Sequence, residues 1–432
     1  MNDKRGLWEA RGTKAWLPRC EKDAQRDFSP LDRIDEPGEG EIIILIDRRR
    51  HVLKRYSIRL FPLIAVLLII LSASAARIDR ILFLGQIKIT TKDRLVVIRN
   101  RKKPAPEVKA AELVLKEEFT IGAEAGPQMV TLEDPTYIAA GADGLIYVVD
   151  QKAFQVKVFG PNGKFLNSIG KRGQGPGEVG GIRDISFTPA GEILVNDTRT
   201  NRLHYFTLEG KFLRTVTAPS TIGFDGPSQD SRGRIFAVQT AMVTDRAISE
   251  LVEFTAEMKK VRTLFSIQIA KYPDFNPVGP QIRFLPAADG GLIWGVTTQY
   301  EINVLDADGK PVKKILKDYD PLPVTKEYRD KLIKQGGLDP SYIKFSDHFP
   351  AFLDFRSDDD GRLYVRLYET TPDESGHVYD VFDPEGRYMA RAVIKGTRTP
   401  AFRHGRIYTI EQAPDGTPFI RVYSASWKKA AS

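Results

Sequence analysis

The sequence predicts an all-β fold closed into a ring, on three observations. A turn ending in glycine and followed by a short apolar run occurs six times. After each of these comes a second run in which apolar and polar residues alternate. One β segment ahead of the first unit belongs to no unit, while the sixth unit stops one strand short. Together they give a six-bladed β-propeller with four-stranded antiparallel blades and an N-terminal strand completing the last blade. A small helical insertion and an N-terminal hydrophobic signal or anchor segment complete the plan.

The first runs are DGLIYVV at Asp143, GEILV at Gly191, RGRIFAV at Arg232, GGLIWGV at Gly290, DGRLYVRL at Asp360 and HGRIYTI at His404. Asp-Gly between β-rich segments is a favoured hairpin turn, because glycine accepts positive φ without a Cβ clash. Apolar runs this short, rich in Ile, Val and Tyr, read as strands buried on both faces. The second runs, VKVFGPNGKFL, LHYFTLEGKFL, LVEFTAEMKKV, INVLDADGKPV, VYDVFDPEGRYM and IRVYSAS, alternate as a strand with one drier face does. In the first, second and fourth units the second turn glycine trails the first by 19 residues, so each unit is two hairpins. Successive units lie 42 to 47 residues apart where the spacing is regular, a period that fits propeller blades. Residues 112–121, inside ELVLKEEFTIG, then supply the outermost strand that the sixth unit lacks, which removes an open edge.

Ahead of the ring, residues 1–50 carry as many acidic as basic side chains and read as a charged tail outside the mature fold. Basic residues from Arg48 to Arg59 precede an uncharged run from Leu60 to Ala76, followed at its end by small residues. Seventeen uncharged residues are about the shortest run that spans a bilayer core. Residues 51–76 are therefore either a cleaved signal peptide or an anchor, and charge asymmetry puts everything after them outside the cytoplasm. The expected location is the periplasm or the outer face of the cytoplasmic membrane, with membrane contact through residues 60–76 if the segment is retained. Residues 77–106 read as a lead-in linker, 107–424 as the ring with an insertion over 311–350, and 425–432 as a tail. In the insertion, Thr325 can cap a helix that Gly336 or Gly337 ends. The net charge of +8 falls to +5 beyond residue 76, too small an excess for nucleic acid. The only cysteine, Cys20, excludes an internal disulfide.

The stretch IGKRGQGPGEV, residues 169–179, resembles a phosphate loop until its neighbours are read. Such a loop needs a helix after it, and here a strand follows. Its glycines turn the chain from the rim of one unit to the centre of the next. The unit GQGPGEVGGIRDISFTPAGEILVNDTRTNRLHYFTLEGKFL, with Asp197, Asn201 and Arg202 in a D-x-x-x-N-R segment, resembles NHL repeats. The lead-in TTKDRLVVIRNRKKPAP is similar to that of exported bacterial six-bladed β-propeller proteins. The resemblance covers roughly residues 88–424 and implies a fold more than an activity.

Chemistry is sparse by comparison. His51, His204, His348, His377 and His404 form no H-x-H or H-E-x-x-H pair, and no G-x-S-x-G elbow is present. DADG at Asp306 and DDDG at Asp358 begin like calcium loops but lack the closing glutamate. The sequence thus indicates no cofactor, no metal site and no catalytic group. Its best site candidates come from aligning GIRDISFTPAGEILV with QIRFLPAADGGLIWG, which puts Arg183 and Arg283 at the head of two innermost strands, with Asp184 as the partner of Arg183. These three residues at the channel mouth are the expected ligand-binding set, for a protein, peptide or glycan. The expected function is a non-catalytic extracytoplasmic binding module. The alternative is a metal-dependent hydrolase or lyase of the lactonase kind that six-bladed propellers host, to which Asn196, Asp197 or Asp150 would contribute.

Overall fold

Each unit opens on the same device, a glycine at positive φ between two strands: Gly144, Gly191, Gly233, Gly290, Gly361 and Gly405 have φ between 65° and 82°. In the computed structural model these turns join the first and second strands of six sheets. The structure describes residues 80–84, 87–105, 111–122, 130–219, 223–271, 273–287, 289–336 and 339–429. The charged tail and the apolar segment expected to be a signal or anchor lie outside the described residues. Among the described residues no helix is long and apolar enough to cross a membrane.

Four strands precede the first full blade: β1 (Arg80–Leu84), β2 (Ile87–Lys92), β3 (Leu95–Asn100) and β4 (Ala111–Ile121). The first blade is β5 (Pro135–Ala140), β6 (Ile146–Asp150), β7 (Gln155–Phe159) and β8 (Phe165–Ile169). The second is β9 (Ile182–Phe187), β10 (Glu192–Asp197), β11 (Arg202–Thr207) and β12 (Phe212–Thr217). The third is β13 (Gly223–Gln229), β14 (Ile235–Val243), β15 (Arg246–Phe254) and β16 (Lys260–Lys271). The fourth is β17 (Ile282–Pro286), β18 (Leu292–Val296), β19 (Glu301–Leu305) and β20 (Pro311–Lys317). The fifth is β21 (Asp354–Ser357), β22 (Leu363–Thr370), β23 (Gly376–Phe382) and β24 (Tyr388–Lys395). The sixth has β25 (Ala401–Arg403), β26 (Arg406–Gln412) and β27 (Pro418–Lys429). Its fourth strand is β4, which pairs antiparallel with β27 from Ile121↔Ile420 to Ala111↔Lys429. The innermost strands β5, β9, β13, β17, β21 and β25 each neighbour the next, and β25 returns to β5. The chain is an all-β six-bladed propeller.

The second strands are buried as expected: β6 is buried throughout and β10 nearly so. The third strands were expected to alternate, yet β7 and β11 are also almost wholly covered. Blades stack face to face, so middle strands such as β7 and β11 are dry on both faces, while outer strands such as β12 meet solvent. Some of the polar residues this buries are paired internally. Lys157 of β7, 6% exposed, pairs with Asp150 at 2.6 Å.

Three boundaries differ from those the sequence suggested. The lead-in carries β1, β2 and β3, which widen the fourth blade to seven strands through a parallel pairing of β3 with β20. The buried Asn100 side chain fixes this addition, donating to the carbonyls of Leu316 and Gly386 and accepting from the Tyr388 amide at 2.8 Å. The insertion starts only after Lys317, because Pro311–Lys317 forms β20. Residues 425–429 continue β27, since Ala425 and Trp427 pack with Leu113 and Leu115 against Tyr364 and Phe402. Within the insertion the helix α1 (Lys326–Gly336) starts where Thr325 accepts from the Tyr328 amide.

Candidate ligand site at the channel mouth

Register fixes what reaches the centre of the ring. Seven residues before the turn glycine stand Tyr137, Asp184, Arg283 and Asp354. Each pairs across to the fifth residue after that glycine, in Tyr137↔Val149, Asp184↔Asn196, Arg283↔Gly295 and Asp354↔Arg366. A bulge in β13 puts Asp225 in the same place, opposite Val238. Five blades thus present one layer of polar side chains, and Thr399, just ahead of β25, joins it by donating to Asp354 at 2.6 Å. Two residues further along β21, on the same face, is Arg356. The charges act across the ring: Arg356 of the fifth blade is influenced by Tyr137 of the first and Asp184 of the second.

Of the residues singled out from sequence, Asp184 and Arg283 belong to this layer, and Arg183 does not. In β9 the register shifts so that Ile182 pairs with Asp197 while Asp184 pairs with Asn196, leaving Arg183 as the extra residue of a bulge. Its guanidinium is half exposed and pairs with Asp225 of the next blade rather than with Asp184. Arg183 and Arg283 are therefore not equivalent. The gapless alignment slipped one residue relative to the turn glycines, and one residue exchanges the faces of a strand. Asp184 accepts from the Asn196 amide at 3.2 Å. Burial pushes its carboxyl up to about 6; the Asn196 hydrogen bond opposes this and the Asp225 charge adds to it.

Sequence reading missed the richest part of the layer. The Asp354 carboxylate accepts from Thr399 through Oδ2, Thr399 accepts from Arg366 at 2.9 Å, and Arg366 donates to Nε2 of His377 at 2.6 Å. His377 is held neutral, its imidazole pulled down to about 4 by burial and then by the Arg366 charge. Asp354 and Arg366 are 9% and 7% exposed, yet Oδ1 of Asp354 and Nε of Arg366 have no hydrogen-bond partner. Arg283 donates to the Leu353 carbonyl at 3.0 Å and to Gln281, and Arg356 to the Phe355 carbonyl at 2.9 Å. Burial lowers the proton affinity of Arg283. The insertion forms a wall here: Tyr328 of α1 meets the Phe349 ring edge-on, and Phe349 stacks on Tyr368 at 4.7 Å. Tyr368 in turn feels the Arg283 charge, while burial pushes its phenol up to about 12.

The remaining candidates have structural work. Asp150 accepts from the Glu133 and Asp134 amides, and Asp197 from the Gly180 and Thr200 amides. Asp306 and Asp358 accept from amides inside their own hairpin turns. Among the described residues no three His, Cys, Asp or Glu side chains gather closely enough to hold a metal. The glycine loop binds an anion of its own: Glu178 accepts from the Gln174 and Gly175 amides at 3.0 and 2.8 Å and pairs with Lys171. The Gly175 amide, then Lys171, hold that carboxyl below the usual range. A cavity of about 290 Å³ lies past the far end of β21, but its charges pair with each other, Asp359 with Arg403 and Asp358 with Arg362.

A family model described as 6-bladed beta-propeller, DUF5128, matches residues 134–249, which span the first blade, the second and part of the third. No curated protein matches the sequence. Among solved structures, a candidate exported protein from Bacteroides fragilis NCTC 9343 is similar at 10% identity and a TM-score of 0.51, over 78% of this chain and 100% of that one. A DUF4221 member from Bacteroides vulgatus is 13% identical with a TM-score of 0.47, over 74% and 99%. Virginiamycin B lyase from Staphylococcus aureus is 13% identical with a TM-score of 0.39, over 72% and 99%. At these identities the first likeness speaks for the propeller fold alone, and the chain carries that fold.

Proposed function

We propose that the protein is an exported, non-catalytic binding module that takes its partner at the mouth of the ring, where Tyr137, Asp184, Arg283 and Asp354 converge. One observation carries the reading: the layer holds buried polar atoms, Oδ1 of Asp354 and Nε of Arg366, that no group of the described residues satisfies. Buried polar groups are nearly always paired, and leaving one bare costs about 1–3 kcal/mol. A ligand that supplies the missing partner recovers that cost. Export is supported by the basic and then apolar run ahead of residue 77, with the ring in the periplasm or on the outer face of the membrane. The partner is a protein, peptide or glycan that the ring receives from its own compartment.

Two measurements test this. A membrane-impermeant lysine reagent applied to intact spheroplasts labels the ring of the full chain, and N-terminal sequencing starting at Ala76 identifies cleavage. Arrays of peptides and glycans probed with the full-length protein give capture that is lost in Arg283→Gln/Arg356→Gln, with the melting temperature kept within a few degrees. Capture unchanged in that variant removes the mouth as the site. A stoichiometric divalent metal with lactone turnover would make the protein an enzyme instead.

A further inference from the structure

Around Asp354 the charges do not balance. Arg283, Arg356 and Arg366 surround it, and none of the three forms an ion pair with a carboxylate among the described residues. Asp225 is taken by Arg183, and His377 brings no charge. The basin between the fourth and fifth blades therefore has an excess of guanidinium, with the Arg283 and Arg356 side chains only partly buried. A planar guanidinium fork matches a carboxylate better than it matches a spherical anion. Beside it, the buried Oδ1 of Asp354 has no hydrogen-bond partner among the described residues. An ammonium would enter a field already positive, whereas a hydroxyl donates without adding charge. Tyr137 and Tyr368 feel the Arg356 and Arg283 charges respectively, which puts both phenols near this basin.

We propose that the ligand is a hydroxylated carboxylate, the terminal acidic sugar of a glycan, seated with its carboxylate on Arg283 and Arg356 and a neighbouring hydroxyl on Oδ1 of Asp354. The proposal rests on the channel-mouth reading above and names its ligand class. It is tested by calorimetry and saturation-transfer NMR on the full-length protein with D-galacturonate, D-galactose and acetate as probes. Galacturonate binds at least about tenfold more tightly than either of the others, the worth of a charge-assisted hydrogen bond. Arg283→Gln weakens galacturonate by about tenfold or more. Asp354→Asn removes the advantage of galacturonate over acetate, with the thermal midpoint reporting that each variant is folded. Galactose binding as tightly as galacturonate, no galacturonate binding, or binding indifferent to Arg283→Gln overturns the proposal. A tripeptide with a free carboxylate that binds through Arg283 while galacturonate does not would retire the sugar and keep the mouth. A partner captured equally well by Arg283→Gln/Arg356→Gln would retire the mouth itself.

Discussion

Replacing Asp184 by asparagine keeps the side chain's shape beside Asn196 and removes a charge that the fold holds at a cost. Burial lifts this carboxyl from the ordinary 3.8 to about 6, against the pull of Asn196 and with the help of Asp225. The folded chain therefore binds this proton more tightly than the unfolded chain does. Stability is greatest below 3.8 and falls as pH rises through the window up to about 6. Above that window the full penalty stands. At ~1.4 kcal/mol for each tenfold change in proton affinity it comes to about 3 kcal/mol. Asp184→Asn escapes it. Urea unfolding of wild type and variant at a series of pH values should give equal stabilities at acid pH. The difference should then widen to about 3 kcal/mol in the variant's favour at neutral pH, with the denaturant slope unchanged. A variant less stable than wild type above neutrality, or a difference that ignores pH, would refute the account of Asp184 as a strained member of the layer.

Other perturbations follow from the same geometry. Lys317 pairs with Asp380 at 3.2 Å in a buried setting, and the phenols of Tyr300 and Tyr388 donate to the same carboxylate. Asp380→Asn strands the lysine and should cost about 3–5 kcal/mol in urea unfolding, most of it recovered by adding Lys317→Met. A Cβ at Gly295 would stand 2.7 Å from the Glu301 carbonyl oxygen and 3.2 Å from the Phe352 ring. Gly295→Ala should therefore lose about 1–3 kcal/mol and weaken ligand capture, since Gly295 is the register partner of Arg283. Deleting Ala111–Ile121 strips the sixth blade of its outer strand; no protease-resistant monomer should remain, and one that melts like the intact protein would disprove the closure.

The ring was legible because its signal is repeated. Six turn glycines, with the apolar runs behind them, mark both strand order and blade count. The unpaired β segment at 112–121 was assignable by elimination. The addition β1–β3 was not, because its partner β20 offers an outer edge like that of any other blade, and the residue that fixes it, Asn100, does so through partners 216 to 288 residues away. The mouth was half legible. Counting seven residues back from the turn glycines of the first, second, fourth and fifth blades finds Tyr137, Asp184, Arg283 and Asp354, whereas matching Arg183 to Arg283 by chemistry slipped the register. Arg366 and His377 sit on second and third strands, where the pattern says only that a residue is buried. Their chain of hydrogen bonds to Asp354 exists only once blades five and six are side by side.

The pairing of β4 with β27 also sets a timetable. Glu117 and Arg421, joined across that seam, are 304 residues apart, and Asn100 waits 288 residues for Tyr388. At a synthesis rate of about 5–20 residues per second, the early strands spend roughly 15–60 s with bare edges before their partners emerge. Such edges invite pairing with other chains. A polypeptide built this way stays open to such pairing until its last strand appears, and the long loop it must close to seal the seam slows its folding.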